Sequence, residues 1–139
     1  MNQNSKNRYR ILIADNVALS EALYNALEHG NLGLHSSIMN EDLDEELADK
    51  LKKELLANPP YSKKKVTVKY IIDGNKITYS IEDDGNGFDP SNVADPTLPE
   101  NITKCHGRGI TLIKICMDEV SFNEKGNEIR MVKNFPDNT

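Results

Sequence analysis

Two runs of alternating residues flank one turn signal: Val66, Val68, Tyr70 and Ile72 precede Asp73-Gly74-Asn75, and Ile77, Tyr79 and Ile81 follow it. A period of two predicts two strands that each put one apolar face toward a core, and the Asp-Gly-Asn step predicts the tight turn of a β-hairpin. The pattern also constrains its own end. Asp83 continues the parity of Ile77, Tyr79 and Ile81, so it points where the buried face points, and a carboxylate placed there needs a partner.

Helical patterns surround this hairpin. From about Asn16 to His29, Leu19, Leu23, Ala26 and Leu27 form an apolar stripe, while Glu21, Asn25 and His29 recur at four-residue spacing on a polar one. Gly30 suits the left-handed residue that ends a helix. A second helix is expected over Glu41 to Leu56. There Leu43, Leu47, Leu51 and Leu55 recur at every fourth position, acids give way to lysines, and Glu46 with Lys50 and Asp49 with Lys53 make favourable pairs. Asn58-Pro59-Pro60 stops it. A short helix from Gly109 to Met117 precedes two strands, Glu119 to Asn123 and Glu128 to Lys133, turned at Lys125-Gly126-Asn127.

Helix, helix, hairpin, helix, hairpin is the order of an α+β fold, a two-layer sandwich with helices on one face of a mostly antiparallel mixed sheet. One domain is expected over residues 8–135, with tails at 1–7 and 136–139. Asp89 to His106 lacks periodicity and is long for a connection in a compact domain, which suits a functional lid or a disordered segment.

A net charge of −5 argues against a general nucleic-acid binder, which needs a basic footprint; the run Lys63 to Lys65 reads as a solvated loop. Cys105 and Cys116 have neither metal-ligand spacing nor a partner pair, so free thiols in a reducing compartment are expected. With no long apolar run and no charged-then-apolar leader, the chain reads as cytoplasmic and without a membrane span.

Two glycine clusters carry the functional signal. Asp83-Asp84-Gly85-Asn86-Gly87-Phe88 follows the hairpin, and its glycines allow a sharp turn and the close approach of a flat ligand. Gly107-Arg108-Gly109 immediately precedes a helix, where unpaired backbone N–H groups and Arg108 make an anion site. Each is a weak signal alone. Together with Ser20-Glu21-Ala22, Asn25-Ala26 and His29-Gly30-Asn31 upstream, and with Asp95-Pro96-Thr97 and Met117-Asp118-Glu119-Val120, they resemble the N, G1 and G2 boxes of the GHKL (Bergerat-fold) ATPases and kinases. Within that superfamily the chain looks most like the bacterial anti-sigma-factor serine kinases, over roughly residues 17 to 133.

The resemblance implies an ATP site with Mg²⁺. In it Asp83 accepts a hydrogen bond from the adenine amino group, Gly85 and Gly87 give adenine and ribose room, and Asn25 ligands the Mg²⁺ that bridges the phosphates. Gly107, Arg108 and Gly109 wrap the β and γ phosphates, Phe88, Lys104 and Ile110 join the nucleotide-binding set, and residues 89 to 106 form the lid. Glu21 is the implied general base, taking the proton from a serine or threonine hydroxyl. His29 reads as a second-shell or helix-end residue.

Two departures from the family pattern stand out. Only about twenty residues precede Glu21, where the kinases carry a strand and a helix, and Gly126-Asn127 stands where many relatives have Gly-Thr; Asn127 can still hydrogen-bond. The implied partners are a small STAS-type anti-sigma antagonist as phosphate acceptor and a sigma factor, with a possible homodimer. Alternative readings are a nucleotide-sensing interaction module without catalysis, and the ATPase domain of a larger signalling protein. A histidine-kinase catalytic half lacks its phospho-acceptor hairpin here, and a gyrase-like clamp lacks its transducer domain.

Overall fold

The computed structural model describes residues 15–33, 45–89 and 109–135. Helix α1 covers residues 15–25 and continues into a π-turn, Ala26–Asn31. Helix α2, Glu45–Leu56, leads through a short 3₁₀ turn, Tyr61–Lys63, to strands β1, Val66–Asp73, and β2, Lys76–Asp83. Helix α3, Gly109–Cys116, is followed by β3, Glu119–Phe122, and β4, Glu128–Asn134. The strands form one sheet in the order β1-β2-β4-β3, and every described pairing is antiparallel. The architecture is α+β, as the element order predicts.

Register shows why one face is apolar. Val68 pairs with Ile81, Tyr79 with Met131, Ile81 with Ile129, and Val120 with Met131, so four strands present aligned apolar positions to the same side. Helices α1 and α3 cover that side over β2, β4 and β3, whereas β1 is exposed along its length except at Val66, which packs against the core. The core unites Ala18, Ala22 and Ala26 of α1 and the π-turn, Ile81, Ile113, Met117, Ile129 and Met131.

The helix stripe that meets the sheet differs from the expected one. Alanines at 18, 22 and 26 are buried, whereas Leu23 is 41 % and Leu27 38 % exposed. Both stripes have helical spacing and lie about 100° apart around the axis. Three alanines in register let the helix backbone lie close to the sheet, and that close approach, not side-chain size, selects the face. The apolar stripe of α2 is likewise unburied: none of its residues is buried and Leu47 is 55 % exposed. Its described anchor is Lys52, which pairs with the Glu28 carboxylate, donates to the Tyr24 hydroxyl at 3.4 Å and stands 5.5 Å from the Tyr24 ring centroid. The Glu28 hydrogen bond is the main reason the Lys52 ammonium is held above its ordinary pKa. Residues 41–44, the expected first turn of this helix, lie outside the described residues.

Gly30 was expected to end the first helix in a left-handed conformation. That conformation belongs to Gly33 instead, at φ 63°, because the helix widens into a π-turn in which Leu32 N–H donates to Leu27 O at 3.0 Å. Gly74, at φ 57°, supplies the left-handed residue of the expected β1–β2 turn.

In α1, Asp15 is buried against the sheet face, where Oδ2 accepts the Tyr79 hydroxyl at 3.1 Å and Oδ1 has no partner among the described residues. Burial pushes the Asp15 carboxyl above its usual range, against the pull of the Tyr79 hydrogen bond, and pushes the Tyr79 hydroxyl up to about 12. A carboxyl with a raised folded-state pKa opposes folding only where it is ionised. Asp15→Asn keeps an acceptor for Tyr79 and removes the charge. Its Tm is therefore expected to exceed the parent's at pH 7, with the gain fading as pH falls through the carboxylate range; thermal melts at pH 3.5, 5 and 7 measure it, and an equal shift at all three would refute the assignment.

Candidate nucleotide site

Helix α1 meets one glycine site along its length and, through its π-turn, a second at its C-terminal end. Toward its middle, Glu21 and Asn25 sit half-buried, one turn apart, against the first residue of α3. A Cβ placed on Gly109 would stand 2.7 Å from Glu21 Oε2 and 3.4 Å and 3.6 Å from the Asn25 amide atoms. A side chain at this position would press on the Glu21 carboxylate, the far end of a flexible side chain, so glycine eases the close approach of α3 to this face. That approach also sets a carboxylate beside the positive end of a helix, a favourable arrangement for the charge.

At the C-terminal end of α1 the π-turn meets the end of β2. Asp83 is 8 % exposed, as strand parity predicts, and its Oδ1 accepts the Gly85 N–H at 2.8 Å. Burial pushes this carboxyl above its usual range, while the Gly85 hydrogen bond pulls it back. Gly30 packs directly on the carboxylate, with no room between them for a methyl group.

Beside them a closed ring of three hydrogen bonds ties three segments. Asp84 N–H donates to Asn31 Oδ1 at 2.8 Å, Asn31 Nδ2 to Lys65 O at 3.1 Å, and Lys65 N–H to Asp84 Oδ2 at 2.8 Å. Asn31, 3 % exposed, is the buried member, and Lys64 Nζ caps its carbonyl at 3.1 Å. The lysine run is therefore not a purely solvated loop. Its middle member also stands 5.3 Å from the Tyr61 ring centroid.

Three expectations change in their reason. The Cβ space of Gly85 is filled by the Gly30 carbonyl and by Asp83 Oδ1 at 2.7 Å, and that of Gly87 by the Lys125 carbonyl. Contact within the protein is by itself enough to exclude a side chain at either position. Asn127 is engaged on both sides: Nδ2 donates to Asp83 O at 2.8 Å and Oδ1 accepts from Asn123 Nδ2 at 2.7 Å. With Asp83 N–H donating to Asn127 O at 2.9 Å, this asparagine holds the backbone that carries the carboxylate. Phe88 stays 42 % exposed, its ring edge-on to Phe122 at 5.3 Å.

The structure thus brings together Glu21, Asn25 and Gly109, and separately Asp83, Gly85, Gly30 and Asn31. Ile110 follows Gly109 in α3, half-buried. His29 is exposed, because the π-turn breaks the four-residue period before it. Lys104, Gly107, Arg108, Cys105 and most of the expected lid lie outside the described residues. Cys116 is a free thiol. Among the described residues no helix is long and apolar enough to cross a membrane.

Sequence reasoning missed Gly30 as a contact of Asp83, Asn31 as a buried bridge and Asn123, whose Oδ1 accepts the N–H groups of Gly126, Asn127 and Glu128. The only local signal was a Gly-Asn step after a helix, which reads as an ordinary terminus.

A family model for the histidine kinase-like ATPase domain matches residues 55–133, more than half of the chain. The match includes Asp83 and Gly109 and begins after α1. No curated protein and no solved structure matches the chain significantly.

Proposed function

Since the chain belongs to the histidine kinase-like ATPase domain family, we propose that it binds Mg-ATP along α1 and transfers the γ-phosphate to a serine or threonine of a small STAS-type protein in a partner-switching pathway. The observation that carries this reading is the double contact of α1. Glu21 and Asn25 meet Gly109 along its length, and Gly30 meets Asp83 at its C-terminal end. Nine residue-to-residue steps along the helix lead from Glu21 to Gly30, roughly 13 Å at the helical rise. A nucleoside triphosphate can span that distance with its base at Asp83 and its phosphates at Gly109.

Each residue then has a task that its chemistry suits. The buried Asp83 carboxylate accepts from the adenine amino group, and Asn127 and the Gly85 N–H fix its position. The Asn25 carboxamide oxygen and the phosphate oxygens are hard donors of the kind Mg²⁺ takes, with water completing the shell. The ion, when bound, neutralises phosphate charge during transfer. Glu21 takes the proton from the acceptor hydroxyl as that oxygen bonds to the γ-phosphorus and the bond to the leaving ADP oxygen breaks. A sigma factor as a second, sequestered partner fits the same pathway.

Thermal shift with ATP in the presence and absence of Mg²⁺ tests the site. At a ligand concentration of 100 Kd the native state should gain about 2.7 kcal/mol. An unchanged Tm with Mg-ATP would remove the proposal. Asp83→Asn keeps the acceptor for Gly85 N–H but loses the charge. ATP affinity should drop by about 1–3 kcal/mol, roughly 5- to 150-fold, with little change in the Tm of the free protein. Because burial raises the Asp83 pKa, ATP affinity should also begin to fall on acidification at a higher pH than an ordinary aspartate would give.

A further inference from the structure

Among the described glycines, Gly30 and Gly109 are the two whose nearest neighbours are side-chain carboxylates, those of Asp83 and Glu21. At Gly87 and Gly126 a Cβ would strike backbone, the Lys125 and Phe88 carbonyls, and at Gly85 it would strike the Gly30 carbonyl. At Gly30 the three nearest atoms are those of the Asp83 carboxylate, and all three lie in the space a methyl group needs. Backbone cannot yield without moving the fold. A carboxylate yields by rotating about its own side-chain bonds.

Gly30 also lies outside the left-handed region, unlike Gly33, Gly74, Gly87 and Gly126. Its backbone therefore admits alanine, and inside a helical turn alanine is favoured over glycine. Neither conformation nor helix stability explains a glycine here. What the missing side chain provides is a seat for the Asp83 carboxylate, which accepts the Gly85 N–H, while the Asn127 amide holds the Asp83 backbone and the Asn31 ring holds the neighbouring Asp84.

We propose that Gly30 is a positioning residue that sets base selectivity, by reserving the space in which the Asp83 carboxylate must sit to read the nucleobase. The inference rests on the reading of Asp83 as the group that faces the base. Adenine offers an amino donor where guanine offers a carbonyl acceptor. A carboxylate seated there accepts from the first and repels the second; a displaced carboxylate does neither. Gly30 thus acts through Asp83 and touches no ligand itself.

The test compares Mg-ATP and Mg-GTP affinities, by calorimetric titration, with the thermal stability of the free protein. The parent should prefer ATP. In Gly30→Ala the ATP:GTP affinity ratio should fall by about tenfold or more, the loss of one charge-assisted hydrogen bond, through weaker ATP binding. The Tm of the free variant should stay within about 4 °C of the parent. In an Asp83→Ala background, adding Gly30→Ala should change the ratio no further, since the seat then has no occupant.

A ratio that survives Gly30→Ala but falls in Asp83→Asn would overturn the role of Gly30 and leave the base-reading role of Asp83 standing. A ratio unmoved by both substitutions would overturn the reading of Asp83, and the inference with it. A Gly30→Ala chain that fails to fold would overturn the inference too, because it would mean that the contact is structural and the carboxylate does not yield.

Discussion

Glu21→Gln is expected to keep its affinity for Mg-ATP and to transfer phosphate about 10²- to 10⁴-fold more slowly, the span that a positioned general base supplies. Glutamine fills the same volume against Gly109, so the approach of α3 to α1 is preserved and the nucleotide finds the same walls. What it cannot do is take a proton. In rate terms the loss equals about 3–5 kcal/mol of barrier, large enough to separate a base from a neighbouring polar group. Single-turnover transfer to a STAS-type acceptor, set beside a nucleotide titration, gives both numbers. Equal transfer by parent and variant would place the base elsewhere. A parent that binds Mg-ATP, changes partner affinity with it and phosphorylates nothing would favour a nucleotide-sensing module, in which Glu21→Gln leaves the switch intact.

Gly87→Ala is expected to be the most destabilising single-methyl substitution at the site. The segment carrying Gly87 and Phe88 crosses the β3–β4 turn backbone to backbone: a Cβ on Gly87 would fall inside the Lys125 carbonyl, and one on Gly126 inside that of Phe88. Both glycines also have φ 78°. A left-handed alanine costs about 1–2 kcal/mol, and forcing a methyl into filled space about 1–3 kcal/mol. Together they amount to roughly 2–5 kcal/mol, a large part of the stability of a domain this size. Urea unfolding of the free protein measures it. A loss under about 1 kcal/mol would show that the two segments separate readily and that the crossing is not structural.

These predictions rest on residues that the sequence made legible to different degrees. Asp83 was found by parity alone, since a strand period of two fixes which way a side chain points once its neighbours are known to be buried. The hairpin turn and the two later strands follow from the same local rule. The glycines at 85 and 87 were found for a turn, yet their reason is a crossing with residues 30 and 125, which only the fold brings near. No local pattern shows that. Of the expected stripe on α1, Ala26 and Leu19 meet the core while Leu23 and Leu27 do not, for a related reason: hydrophobicity favours leucine, while the distance between helix and sheet favours alanine. Asn127 was placed in the nucleotide-binding set, and only the fold shows its amide divided between Asp83 and Asn123. The apolar side of β1 was overread. Alternation marks a face but not what covers it, and Tyr70 and Ile72 are 66 % and 65 % exposed.

The ion pair between Lys52 and Glu28 ties the least buried helix to the most confined turn. Glu28 lies in the π-turn two residues before Gly30, with its side chain 7 % exposed. If α2 swung away, it would strand that carboxylate without a counter-charge in a place water barely reaches, and uncompensated buried charges are among the costliest defects a fold can carry. Among the described residues, Lys52 thus moors helix α2 to the same turn that packs on Asp83. Tension on this helix reaches the π-turn end of α1 through that ammonium group.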